Sequence, residues 1–102
     1  GKMRAKAFPG RAAILVKLLG LDENVISAVH EKPGSLKIGH YVPGTRIPIH
    51  SDDDLFALPD QSAPLLNLAW HIPREIRVYL EKHGYAGPIT DILSPDDFRA
   101  AR

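Results

Sequence analysis

A chain of 102 residues has room for one hydrophobic core, and with 44% hydrophobic and 25% charged residues it has the make-up of an ordinary folded globular protein. Its 13 Lys and Arg against 12 Asp and Glu leave a formal net charge of +1, which argues against nucleic acid or an anionic membrane as the main partner. Cysteine is absent, so disulfides, thiolate zinc sites and a cysteine nucleophile are excluded.

No apolar run approaches the roughly 20 residues needed to span a bilayer. Lys2, Arg4 and Lys6 are not followed by an apolar signal region ending in a small-residue cleavage site. The expected setting is therefore a reducing cytoplasm.

Apolar segments alternate with amphipathic ones, the pattern of βαβ units. Residues 3–8 read as a first strand, with Met3, Ala5 and Ala7 on one face and the charges of Arg4 and Lys6 on the other. Pro9-Gly10 signals a turn. Residues 12–19 read as a mostly buried helix, stopped by Gly20 in the left-handed conformation that glycine adopts without steric cost. Residues 25–29 are rich in β-branched side chains and form a second predicted strand.

Residues 33–44 are rich in Gly and Pro and make a long loop with Lys32, Lys37 and Arg46 in or near it. Residues 46–50 form a third predicted strand. Pro48 cannot donate a ladder hydrogen bond, which places that strand at a sheet edge. Ser51-Asp52-Asp53-Asp54 has the Ser-x-x-acid form of a helix N-cap and leads into an apolar run, residues 55–58. Its acids suit the positive end of a helix, so they are read as caps and not as a magnesium site.

Residues 65–70 are the clearest strand, nearly all apolar as expected when both faces are covered. Pro73 suits the first turn of a helix, Ile76, Tyr79, Leu80 and His83 recur at helical spacing, and Gly84 ends it. Residues 88–92 read as a last strand. Ser94-Pro95-Asp96-Asp97 starts one further helical turn or belongs to the tail.

The order is β-α-β-loop-β-α-β-α-β. Right-handed crossovers then favour an α/β, Rossmann-like three-layer sandwich: a mostly parallel sheet of four to five strands, in the order 3-2-1-4-5, with helices on both faces. The whole chain, residues 1–102, is read as one domain. A strand begins almost at once, as though an upstream part had been cut away, so the expectation is a domain excised from a larger protein.

In such sheets ligands bind beyond the carboxyl ends of the strands, where the strand order reverses. That places Phe8-Pro9-Gly10-Arg11, His30-Glu31-Lys32 and Trp70-His71 around one crevice. Gly10 and Arg11 stand where a phosphate-binding turn would be, with free amides and a guanidinium to meet an anion. Only one glycine of the G-x-G-x-x-G pattern is present, which favours a plain strand-to-helix turn. Glu31 occupies the place of an acid that meets a ribose hydroxyl in dinucleotide folds; a solvated acid beside Lys32 is the alternative.

The histidines at 30, 40, 50, 71 and 83 form no H-E-x-x-H pair, and no metal site is read from them. His71 stands out because it follows a buried strand, although a histidine oriented by a backbone carbonyl is favoured over one that transfers protons. Trp70 either stacks on a base or sugar or belongs to the core. No Gly-x-Ser-x-Gly elbow is present, and no residue is assigned a catalytic role.

The segment Glu31-Lys32-Pro33-Gly34-Ser35-Leu36-Lys37-Ile38-Gly39-His40-Tyr41-Val42-Pro43-Gly44-Thr45-Arg46-Ile47-Pro48-Ile49 resembles the signature loop of a known family. So does Leu68-Ala69-Trp70-His71-Ile72 followed by Glu75-Ile76. Both are similar to the C-terminal domain of S-adenosylmethionine-dependent C-methyltransferases acting on nucleotide-linked deoxysugars. The likeness covers about residues 3–92, and Lys37-Ile38-Gly39-His40-Tyr41-Val42-Pro43-Gly44-Thr45 is its most specific part.

The resemblance implies a full-length enzyme of three parts: an N-terminal zinc-binding region, a central domain with the methyl donor and the acid/base residues, and this module over the sugar-nucleotide site. It implies a substrate-binding set of Gly10, Arg11, Glu31, Lys37, His40, Tyr41, Trp70 and His71. No metal and no cofactor are assigned to the module; S-adenosylmethionine belongs to the full-length enzyme. The implied partners are the nucleotide-sugar and the upstream methyltransferase domain. The chain departs from the family at the first turn, where Ala7-Phe8-Pro9-Gly10-Arg11-Ala12 replaces a Gly-Ala-x-x-Lys-Gly-like segment and Arg11 takes the place of the lysine. Two other readings stand beside it: a structural module packing on a methyltransferase domain, and an independent dinucleotide-binding module or small oxidoreductase.

Overall fold

A computed structural model of the chain describes residues 2–9 and 12–92. The elements run β1 (Met3–Lys6), α1 (Ala12–Leu18), β2 (Ile26–Glu31), β3 (Ile49–Ser51), α2 (Asp52–Phe56), β4 (Leu65–Asn67), α3 (Pro73–Lys82) and β5 (Ile89–Asp91). Among the described residues the sheet has five strands in the order β3-β2-β1-β4-β5, and every pairing within it is parallel. This is the expected α/β three-layer arrangement. The order reverses at β1, which lies between β2 and β4.

Two apolar clusters separate the layers. One joins Ala5, Val29, Ile49 and Leu68 to Ala12 and Val16 of α1 and to Val42 and Ile47 of the long loop. The other joins Leu65 to Leu55 of α2, to Ile76 and Leu80 of α3 and to Tyr85. The β2–β3 connection thus does the work of a missing crossover helix. Its Val42 and Ile47 cover the sheet alongside α1, which explains how a Gly- and Pro-rich segment closes a core.

Local signals set the element ends. Ser51 caps α2, its side chain accepting from the Asp53 amide at 3.1 Å. Pro73 opens α3 at its first turn. Both longer helices end on a left-handed glycine. Gly20, at φ 66°, closes α1 with Gly20 N donating to Lys17 O and Leu21 N donating to Val16 O. Gly84, at φ 85°, closes α3 with the same pair of bonds to Glu81 O and Leu80 O.

Four expectations need correction. Helix α1 is not mostly buried: Ala12 and Val16 face the core, while Ile14, Leu18 and Leu19 are 66%, 75% and 55% exposed. A helix of this length lays one stripe on the sheet, and nothing among the described residues covers the other. Strand β1 stops at Lys6 instead of reaching residue 8, and Lys6, on the charged face, is buried. Strand β3 is Ile49–Ser51 and not 46–50, because the Arg46 and Ile47 amides bond outside the sheet. The Arg46 amide donates to Glu23 Oε1, the Ile47 amide to Thr45 Oγ1, and Tyr41 bridges Pro48 in antiparallel fashion.

Strand β3 does lie at the sheet edge, as Pro48 implied. Strand β4 is shorter than the expected 65–70, since the Asn67 side chain turns the chain after it. The segment at 94–97 lies outside the described residues. No helix among the described residues is long and apolar enough to cross a membrane.

Candidate functional site

The carboxyl ends of β1 and β2 meet at a carboxylate. Strand β1 ends at Lys6, and the next residue, Ala7, adopts φ 66°, a left-handed conformation unusual for a residue with a Cβ. The Ala7 amide donates to His30 O at 2.7 Å, which locks this bend against β2. One residue on, the Phe8 amide donates to Glu31 Oε2 at 2.8 Å. The other Glu31 oxygen accepts from Ser35 Oγ at 3.1 Å and lies 3.7 Å from Lys37 Nζ. Lys37 in turn donates to Phe8 O and sits 5.7 Å from the Phe8 ring centroid.

Residues far apart in the chain are thereby tied to one spot: the turn after β1, the end of β2, and the basic loop. Glu31 holds them together. Both of its oxygens are engaged within the chain, which makes Glu31 a structural tie at this end of the sheet.

The β4 side of the crevice is held by a second polar group. Asn67 is fully buried; its Oδ1 accepts from the Ala69 amide at 2.9 Å, and its Nδ2 donates to Ala69 O at 3.3 Å and to Asp91 Oδ1 at 2.9 Å. Arg77 of α3 donates to the same Asp91 oxygen at 3.0 Å and to Ile89 O. The Leu68 amide donates to Lys6 O at 3.1 Å, joining the chain after β4 to the end of β1. Trp70 and His71 follow directly, half-buried and exposed, with their rings edge to face at 5.9 Å.

His40 and Tyr41 are placed differently. The Gly39 amide donates to Ile49 O and the Ile49 amide to His40 O, so this part of the loop pairs along the outer side of β3. His40 and Tyr41 are exposed there, beside a shallow cavity of about 310 Å³ that they share with His50, Ser51 and Asp54. Strand β2 and edge strand β3 separate that end of the loop from β1. Gly10 and Arg11 lie outside the described residues.

Beneath the crevice lies a buried ionic cluster that sequence reasoning missed. Lys6 Nζ and Asp52 Oδ2 are 3.0 Å apart, with side chains 2% and 1% exposed. Tyr79 OH donates to the same Asp52 oxygen at 2.8 Å, and Lys6 Nζ lies 5.2 Å from the Tyr79 ring centroid. Burial, then the hydrogen bond to Asp52 and its charge, hold the Tyr79 hydroxyl well above the usual phenol range. One sequence signal was available: a lysine in a central strand of a two-sided sheet must find a counter-charge.

His30 is buried beside this cluster. Its Nδ1 lies 3.0 Å from Ser51 O, which can only accept, so Nδ1 carries the proton and Nε2 accepts from Arg4 at 3.1 Å. Burial lowers the imidazole below its ordinary range; the Ser51 carbonyl opposes this, and Arg4 adds to it. The ring is therefore neutral at pH 7 and acts as a structural link between β1, β2 and β3. Among the described residues no three His, Cys, Asp or Glu side chains are grouped so as to hold a metal ion.

The family described as "C-methyltransferase C-terminal domain" matches residues 3–89. No curated protein and no solved structure matches the chain.

Proposed function

The chain belongs to the C-methyltransferase C-terminal domain family, and from that premise we propose that it is the module that binds and covers the substrate of an S-adenosylmethionine-dependent C-methyltransferase. The substrate proposed is a nucleotide-linked sugar. The reading rests on one observation: the turn after β1, Glu31 and Lys37 converge at the carboxyl end of a parallel sheet, beside the strand where the order reverses. Lys37 then supplies the positive charge for a diphosphate, and Trp70 and His71 the surface for a sugar or base. Glu31 positions that end of the loop; His40 and Tyr41 extend the surface towards the β3 edge.

The module has no catalytic group of its own in this reading. Donor and acid/base residues are assigned to the upstream methyltransferase domain, and the enzyme to the cytoplasm.

Titration of the labelled domain with a thymidine diphosphate-linked hexose tests the proposal through amide shifts. Shifts at Phe8, Lys37 and His71 that saturate at millimolar ligand or below are expected. A spectrum unmoved at those positions, for this chain joined to its methyltransferase domain, overturns the reading.

One observation favours a second role. The outward face of α1, with Ile14, Leu18 and Leu19 exposed, is the kind of apolar patch that a packing partner covers. Self-association that disappears when the methyltransferase domain is supplied would assign the module an interaction role as well. Equal solubility with and without that domain would remove it.

A further inference from the structure

The candidate crevice lies at the carboxyl ends of the strands, while a cavity of about 720 Å³ opens at their amino ends. Met3, Leu58, Pro59, Pro64 and the buried Tyr85 give it mostly apolar walls. Size and lining are those of small-molecule sites, where an apolar body is held by a few placed polar groups.

One such group lacks a counter-charge. Arg4 is partly buried in the middle of β1 and lines the cavity. Its NH1 donates to His30 Nε2 at 3.1 Å, a neutral acceptor, and among the described residues no carboxylate lies within ion-pairing distance of it. A guanidinium carries five donors in a fixed fork, and a cation drawn out of water without a counter-charge is costly. The acid that also lines the cavity, Asp60, accepts from the Ser62 amide at 2.8 Å and the Ser62 hydroxyl at 2.5 Å instead. Exposed Lys2 adds a second positive charge at the rim.

The geometry points to a ligand site at the amino ends of β1 and β4 for a small amphipathic anion, a carboxylate or sulfonate on an apolar body, with Arg4 as its counter-ion. This site is separate from the carboxyl-end crevice and stands whether or not the chain binds a nucleotide-sugar there.

The probe is 8-anilinonaphthalene-1-sulfonate, titrated by fluorescence against the folded chain. Binding of one probe per chain is expected. Arg4→Met should weaken it about tenfold or more, the usual worth of a charge-assisted contact, while Arg4→Lys keeps it within roughly threefold. Circular dichroism of each variant confirms that the fold is intact. Should the methionine variant fail to fold, amide shifts of the unmodified chain decide instead, with changes expected at Ser27, Leu58, Asp60 and Ala63. Affinity of Arg4→Met within about twofold of the parent, or shifts gathered along α1 in place of the cavity, overturns the assignment.

Discussion

Lys6→Met removes one charge from the buried cluster and leaves Asp52 without its cation. Both side chains are almost wholly out of water at 3.0 Å separation, and among the described residues Asp52 Oδ1 has no hydrogen-bond donor. Breaking such a pair costs about 3–5 kcal/mol, because an uncompensated charge stays behind in a medium that solvates it poorly. A domain of this size has roughly 5–15 kcal/mol in total, so the loss is a large share. With a urea slope of about 1.5 kcal/mol/M, the unfolding midpoint falls by roughly 2–3 M. Fluorescence of Trp70, the only tryptophan, and far-UV circular dichroism both follow the transition. The companion variant Lys6→Met/Asp52→Leu/Tyr79→Phe removes the whole cluster, and should recover to within about 1–2 kcal/mol of the parent, since apolar replacement of a buried pair is commonly neutral. A single variant costing under about 1 kcal/mol, or a triple variant no more stable than the single one, would refute the reasoning.

Four further outcomes are expected. His30 titrates lower in the folded chain than in the unfolded one, so the unfolded state takes up its proton first; stability holds above about pH 6.5 and declines as pH falls below it. Urea midpoints at pH 7.5 and 5.5 should show that decline in the parent and less of it in His30→Gln. Glu31→Gln weakens the bonds to Phe8 N, Ser35 and Lys37. It should cost about 1–3 kcal/mol and speed proteolysis within residues 33–44, as read on gels. Ala7→Gly relieves the left-handed strain at φ 66° and should stabilise by about 1 kcal/mol, measured by the same urea curves. Gly87→Ala would set a Cβ 2.1 Å from Ala63 O, so backbone must shift, and thermal melting should drop by at least about 5 °C.

The strained Ala7 shows how far the sequence could be read. The chain bends left-handed there and so brings the next amide to Glu31. Composition alone marked the turn but not its handedness. Glu31 was legible as a candidate because it closes a β-rich run; that both oxygens are used internally depends on the Phe8 amide after β1 and on a serine and a lysine along a loop with no regular period.

The linear chain by itself determined the element types, the helix ends at Gly20, Ser51, Pro73 and Gly84, and the strand order. Caps and periodicity act over a few residues, and crossover handedness leaves few arrangements to choose from. Tertiary structure alone decided that Lys6 is buried against Asp52 and Tyr79, that half of the apolar surface of α1 stays open, and that His40 and Tyr41 end up on the β3 edge. Those outcomes turn on which side chains meet across strand register and layer packing. No local pattern carries that information, because the partners are brought together only when the sheet and its covering layers close.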